Sequence, residues 1–251
     1  MTQHTDRSPV PQPEFDAYAA EYSAGMDSPI KALLGSSADQ FVDVKIRWLM
    51  NRFASLRAGG AGLRLLDYGC GTATLLRLLA PQLRGAALLG CDISTGMLDE
   101  ARRVWPAGID QPELSVQDGA STSVAAGSCD FVVISAVLHH VPVELRRDVY
   151  AEIRRVLRPG GHIVVFEHNP LNPVTRYVVA RTPIDQNAIL LRAREVHDAL
   201  GDLGFGNIRT GYLMFAPPRL HALEGLERLF GWLPLGAQYA VTAQRSPDLP
   251  A

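Results

Sequence analysis

Two glycines and three aspartates carry the most readable chemistry in this chain. The stretch Leu66-Asp67-Tyr68-Gly69-Cys70-Gly71-Thr72 closes an apolar run and leads directly into a helical pattern. Glycines at such a junction let the backbone approach a ligand while the unpaired N–H groups of the helix start face it. Alone, the loop is equally a conformational turn. Thr74 stands where a dinucleotide fingerprint would carry a third glycine or an alanine, so a nicotinamide cofactor is disfavoured. Gly90-Cys91-Asp92-Ile93-Ser94 ends a second apolar run, and the Asp92 carboxylate offers two acceptor oxygens suited to the paired hydroxyls of a ribose. Asp92 could instead cap the helix that follows, although Ser94 is the better placed cap. Gln117-Asp118-Gly119-Ala120 ends a third run; Asp118 could accept from an exocyclic amine, and Asp-Gly is also ordinary turn chemistry.

Proton-transfer groups are fewer. His139 and His140 follow a strong fourth apolar run, and either could take a proton from a hydroxyl or amine near neutral pH. Two adjacent side chains are not expected both to point inward, and the competing reading is that one packs as a structural histidine while the other is solvated or caps the helix that starts at Val143. Glu167-His168-Asn169 ends a fifth run and feeds a proline-rich segment holding Arg176 and Arg181, which could clamp a carboxylate or phosphate or simply be solvated. Phe15, Tyr18 and Tyr22 recur at helical spacing and form either a core stripe or a wall over the site. Cys70, Cys91 and Cys129 are scattered without metal-ligand spacing, so no metal centre or disulfide framework is expected.

The elements that must position these groups follow from periodicity. Residues 1–13 contain Pro9, Pro11 and Pro13 and are expected to be a flexible tail. Residues 14–58 are helical, with Phe41, Val44, Trp48 and Leu49 as an apolar stripe and Asp43, Lys45 and Arg47 as the polar residues between. Residues 59–251 form the main domain. Strands are expected at 63–68, 86–92, 113–117, 131–135 and 162–167, alternating with helices at 72–83, 94–104 and 143–157. Strands separated by helices require right-handed crossovers and a mainly parallel sheet covered on both faces, a doubly wound α/β fold. About 168–192 is expected to be an irregular substrate loop. Beyond it, a helix at 193–203, a strand at 208–215, a helix at 220–230 and a strand at 238–243 complete the pattern.

Composition limits the partners. The chain has 251 residues, enough for one sizeable core, and its 24 Lys and Arg nearly balance 26 Asp and Glu. That balance carries no electrostatic footprint for nucleic acid or an anionic membrane, and a small molecule is the expected partner. No signal peptide or apolar run of membrane-spanning length is read, so a cytoplasmic protein without a transmembrane segment is expected.

The motifs LDYGCGTATLLRLLA, GCDIS, QDGA, CDFVVISAVLHHV and RRVLRPGGHIVVFEH, over about residues 63–168, together resemble those of class I, Rossmann-like S-adenosylmethionine-dependent methyltransferases. FEHNPLNPVTRYV is similar to a bacterial subgroup acting on small or lipid-linked acceptors. The resemblance implies a seven-stranded sheet with an antiparallel last strand inserted beside the fifth. It also implies that S-adenosyl-L-methionine is the cofactor and S-adenosyl-L-homocysteine the product. Asp67, Gly69, Cys70 and Gly71 would border the methionine part, Asp92 would bind the ribose, and Ile93 and Met97 would pack on the adenine. Asp118 with Gly119 would meet the adenine amino group, and Ser135 would lie on the same cofactor surface. His139 and His140 would line the transfer site; Tyr18, Tyr22, Glu167, His168, Asn169 and Arg176 would border the acceptor. Ala73 replaces a glycine that many members carry. A cofactor-binding protein without turnover, and a nicotinamide-dependent oxidoreductase, are the competing readings.

Overall fold

A computed structural model describes residues 13–16, 38–54, 61–216 and 229–247. Its elements are α1 (Pro13–Asp16), α2 (Ala38–Arg52), β1 (Arg64–Tyr68), α3 (Thr74–Leu79), β2 (Ala87–Asp92), α4 (Thr95–Val104), β3 (Glu113–Val116) and β4 (Cys129–Ser135). They continue with α5 (Arg146–Val156), β5 (Leu157–His168), α6 (Pro173–Val179), α7 (Ala193–Asp202), β6 (Phe205–Leu213) and β7 (Gln238–Arg245). The seven strands form one sheet in the order β3-β2-β1-β4-β5-β7-β6. The first five are parallel, whereas β7 runs antiparallel between β5 and β6. The order reverses between β1 and β4, and a crevice must open beyond the carboxyl ends of the strands at such a switch point.

Period-two alternation divides the core. On β4 and β5, Val132, Ile134, Ile163 and Val165 face one side with Tyr150 and Ile153 of α5 and Val196 and Leu200 of α7. Phe131, Val133, Val164 and Phe166 face the other, against Val44, Ile46 and Leu49 of α2 and Leu75, Leu76 and Leu79 of α3. Central strands buried on both faces read as unbroken apolar runs, which is why periodicity located them. Among the described residues no helix is long and apolar enough to cross a membrane.

Three segments depart from the sequence expectation. The fifth strand starts at Leu157, ahead of Arg158-Pro159-Gly160-Gly161, because Leu157 already pairs with Cys129 across an irregular register. A Cβ on Gly161 would lie 2.9 Å from the Arg158 carbonyl oxygen, so only glycine lets the chain run there. The expected irregular loop at 168–192 contains α6, capped by Asn172, whose side chain accepts from Thr175 N at 3.0 Å, with Pro173 at its start. An asparagine followed by proline is an ordinary helix-start signal. The sixth strand ends at Leu213 and starts three residues early at Phe205, with a register shift between Gly206 and Arg209. The tail at 1–12, Tyr18, Tyr22 and most of the expected helix at 220–230 lie outside the described residues.

Gly69 has φ +72°, and a Cβ there would sit 2.6 Å from Val137 Cγ2; Gly71 has φ +52° with open space around it. Gly69→Ala should therefore cost both left-handed strain and overpacking, about 3 kcal/mol together, whereas Gly71→Ala should cost about 1 kcal/mol from strain alone. Urea unfolding of both variants checks this; equal losses would show that the approach to Val137 is relaxed without cost.

Candidate active site

The glycine loop is held in place by β2. Gly69 N and Cys70 N both donate to the Cys91 carbonyl, at 2.8 and 2.9 Å, and Gly71 N donates to Asp92 Oδ2 at 2.7 Å. The other Asp92 oxygen accepts from Ser94 N at 2.9 Å. Ser94 is the cap of α4, as its position suggested: its Oγ accepts from Met97 N at 3.1 Å, and it also hydrogen-bonds Asp16 of α1. Burial pushes the Asp92 carboxyl up, and its backbone donors pull it back. Asp67 sits deeper: burial, with Asp92 close by, pushes it up to about 7 against the opposing pull of Lys45. Burial likewise pushes the Cys70 and Cys91 thiols up, which leaves neither a thiolate nucleophile at neutral pH.

The second cluster gathers around a carboxylate with no solvent exposure. Glu167, at the end of β5, accepts from Val137 N at 3.0 Å and Leu138 N at 2.7 Å through one oxygen, and contacts His139 Nδ1 at 2.6 Å through the other. Leu138–His140 form a single 3-10 turn. This corrects the expectation that only one histidine could face the site: a turn of this kind rotates successive side chains by about a third of a circle instead of alternating them. Both rings reach Asp185 Oδ1, His139 Nε2 at 3.5 Å and His140 Nε2 at 3.4 Å. Ile189 N donates to the His139 carbonyl at 2.8 Å, and Arg146 donates to the Ile189 carbonyl at 2.6 Å, so the turn and the Asp185 segment are tied together.

Electrostatics follow from that packing. Burial alone would raise Glu167, yet the His139 imidazolium outweighs it and holds the carboxyl at about 2. Burial would likewise lower His139, but Glu167 and Asp185 raise it to about 9. Asp185 is held well below the usual carboxylate range by the two histidines despite its burial. The two carboxylates thus favour the protonated imidazole of His139, which counts against it as a free base. Burial, reinforced by the nearby His139, pushes His168 down to about 4.

Lys45 is the residue that periodicity misplaced. It is 5% exposed, and its Nζ donates to Ser135 Oγ at 2.8 Å across the top of β4. Burial lowers the ammonium to about 8, while the charges of Glu167 and Asp67 work the other way. The sequence did contain a signal: Lys45 lies four residues after Phe41 and three before Trp48, on their face of α2.

A cavity of about 360 Å³ joins these groups. Gly69, Gly71, Asp92, Ile93, Met97, Gln117 and Gly119 line it along β1 to β3; Ser135, Lys45, His139, His140, His168 and Asp185 line its middle. Phe15, Phe41, Val42, Val174, Val178 and Ile184 supply apolar walls. Phe15 meets the His140 ring edge-on with centroids 5.2 Å apart. Several expected residues stand elsewhere. Asp67, Cys70 and Glu167 lie buried behind the wall, and Asp118 is exposed outside it. Asn169 spends its amide on the Pro234 and Gly236 carbonyls at 3.0 and 2.8 Å, so it joins two loops instead of bordering an acceptor. Arg176 is exposed beside a separate shallow concavity with Tyr177 and Gln186. Asp185, Lys45 and Thr182 also line the wall.

Comparison with known proteins bears on this crevice. Residues 65–161 match the family model of a methyltransferase domain. The demethylmenaquinone methyltransferase of Clavibacter sepedonicus is 40% identical over 128 residues, which is 50% of this chain and 50% of that protein. The ubiquinone/menaquinone biosynthesis C-methyltransferase UbiE of Syntrophotalea carbinolica is 31% identical over 168 residues, 65% of this chain and 63% of that protein. The chain thus spans about half to under two thirds of the length of these two relatives. The crystal structure of a SAM-dependent methyltransferase from Thermotoga maritima, described as a possible histamine N-methyltransferase, superposes with a TM-score of 0.66. It is 15% identical and covers 93% of this chain and 99% of that one, so it speaks for the fold alone. The matched methyltransferase domain spans the glycine loop, the ends of β2 and β3 and the histidine turn, and together with the sheet order these likenesses support a class I, Rossmann-like S-adenosylmethionine-dependent methyltransferase.

Proposed function

We propose that the protein transfers a methyl group from S-adenosylmethionine to a small molecule with an apolar body. The observation that carries this reading is that one cavity joins two chemically different regions. Along β1 to β3 it offers backbone, a carboxylate and apolar side chains suited to a nucleoside; toward α6 it offers an apolar chamber ending at a histidine–aspartate cluster. In the transfer, the acceptor's nucleophilic atom bonds to the methyl carbon as the carbon–sulfur bond breaks. The electron pair stays on sulfur, leaving neutral S-adenosylhomocysteine, and a hydroxyl or amine acceptor gives up a proton. Such a displacement gains most from alignment. Gly69 and Gly71 would frame the methionine end, Asp92 the ribose, and Ile93, Met97, Gln117 and Gly119 the adenine. Asp118 would need to turn inward to reach the adenine amine. His139 and His140 would anchor the acceptor's reacting atom, and the quinone-type acceptors named for the relatives suggest a ring-bearing substrate.

Lys45 fits this reading as the cation that meets the methionine carboxylate beside Ser135. A buried ammonium destabilises the fold, and such a residue is retained where function needs it.

Calorimetry should show S-adenosylhomocysteine binding and no NAD binding, and incubation with S-adenosylmethionine and a panel of phenols, quinols and amines should release S-adenosylhomocysteine. Stabilisation by NAD alone would overturn the reading. Asp92→Ala should weaken S-adenosylhomocysteine by about tenfold or more, since a charged acceptor to two hydroxyls is lost; unchanged affinity would show that the end of β2 does not hold the ribose.

A second expectation concerns Lys45. The unfolded lysine keeps its proton up to its ordinary value of 10.5, whereas the folded one releases it near 8. The stability penalty is therefore full below pH 8 and fades as pH rises toward 10.5. Lys45→Met should be more stable than the parent at neutral pH by on the order of 3 kcal/mol, with the gap shrinking by about pH 9.5, and should bind S-adenosylhomocysteine at least about tenfold more weakly. Urea unfolding at both pH values with calorimetry checks it; a variant no more stable than the parent, or one that binds as well, would count against the assignment.

A further inference from the structure

The cluster at the acceptor end of the cavity is spaced more widely than close side-chain hydrogen bonds would set it. His139 Nε2 and His140 Nε2 converge on a single oxygen, Asp185 Oδ1, at 3.5 and 3.4 Å, longer than good hydrogen bonds. The two rings are only 4.1 Å apart between centroids, and one ligand atom from each of the three residues lies within 4.8 Å of the others. In a tetrahedral site with metal–nitrogen and metal–oxygen bonds of about 2.1 Å, neighbouring donor atoms stand about 3.4 Å apart. The histidine–aspartate separations match that spacing.

The surroundings point the same way. The Nδ1 of His139 is taken by the Glu167 carboxylate at 2.6 Å. A carboxylate on the far nitrogen of an imidazole is the usual means by which a metal-ligating histidine is oriented and made more basic. Glu167 is itself fixed by Val137 N and Leu138 N, so the imidazole is set before any ligand arrives. The edge of Phe15 confines His140. Asp185 and both histidines line the cavity, so coordination positions beyond these three open toward the space assigned to the acceptor. Two imidazoles and one carboxylate suit a divalent first-row transition ion such as zinc, cobalt or iron(II), and are a poor match for magnesium or calcium.

We infer that His139, His140 and Asp185 form a binding site for a divalent transition-metal ion, with Glu167 as the positioning residue of His139. This rests on the reading of the cavity as a methyl-transfer site only for the ion's purpose, which would be to hold an oxygen or nitrogen of the acceptor in front of the methyl group as a Lewis acid. The binding site itself stands on the geometry alone.

The test uses the full chain, stripped with a chelator and titrated with cobalt(II), read by visible ligand-field absorption and by melting temperature. One equivalent of cobalt should give visible bands and raise the melting temperature, and zinc should displace it. His140→Ala and Asp185→Asn should each weaken cobalt by about tenfold or more, and Glu167→Gln by about 10-fold to 100-fold. Glu167 is fully buried and its variant could misfold; His140 and Asp185 are near the cavity surface, so their variants keep the test decisive. Absence of bands in folded protein, or parental cobalt binding by both His140→Ala and Asp185→Asn, would overturn the inference. S-adenosylhomocysteine calorimetry on the same sample separates the two readings: nucleoside binding without cobalt binding rejects the metal site alone, and cobalt binding without nucleoside binding rejects the cofactor reading alone.

Discussion

The buried carboxylate of Glu167 is the interaction on which the site depends. A carboxylate without solvent exposure is tolerated only when its oxygens are filled, and this one receives two backbone N–H groups and an imidazole. Removing a partner from such a group costs roughly 3 to 5 kcal/mol, so the chain after β4 has little freedom to do anything but turn at Val137 and present His139. From that turn follow the position of His140, the pairing of both rings with Asp185, and the bond from Ile189 that draws the segment beyond α6 across the cavity. A single side chain at the end of β5 thereby sets the shape of a wall built from residues nearly 50 positions apart.

Along the neighbouring strands the same physics runs with less compensation. Asp67 and Lys45 are buried with charges nearby but without the full set of hydrogen bonds that Glu167 enjoys, and burial moves each toward its neutral form. Charges held at a cavity floor in this way are poised to respond to whatever charged groups enter. The scaffold that tolerates them is the apolar layer that Val44, Ile46 and Leu49 form together with α3 on one face of the sheet, which makes α2 a structural member of the core as well as the bearer of Lys45.

Much of the fold was legible because its signals are local. Central strands buried on both faces are continuous apolar runs, and Ser94 capping α4 is a one-residue decision. Gly69 was legible for the same reason, although its contact with Val137 was not. What escaped were properties of distance and of handedness. Lys45 alternates with apolar residues along the sequence, which suggested a polar position, while the helix turns it onto the face of Phe41. Adjacent histidines are not expected both to point inward, but the turn is 3-10 and both converge. Asp185 is separated from His139 by 46 positions, and nothing in its local sequence distinguishes it from a solvated aspartate. Asn169 and Arg176 looked like binding residues because polar side chains after a strand often are; one is consumed by backbone carbonyls and the other points to a different concavity.

The insertion of β7 between β5 and β6 bears on the order in which the molecule can be assembled. β5 pairs with β7 along His162–His168, the stretch that ends in Glu167 and His168, and Gln238 at the start of β7 and Ala237 just before it line the cavity. During synthesis β1 to β5 and the helices between them emerge first and can collapse into a parallel sheet, but the outer edge of β5, which ends at His168, has no partner until β7 follows from Gln238. An open edge of that length, rich in Ile163, Val164, Val165 and Phe166, is a template for pairing with other chains. The nascent protein therefore passes through a stage in which its cofactor half is foldable while its most aggregation-prone strand is bare, and the strand that protects it is the same one that completes the site.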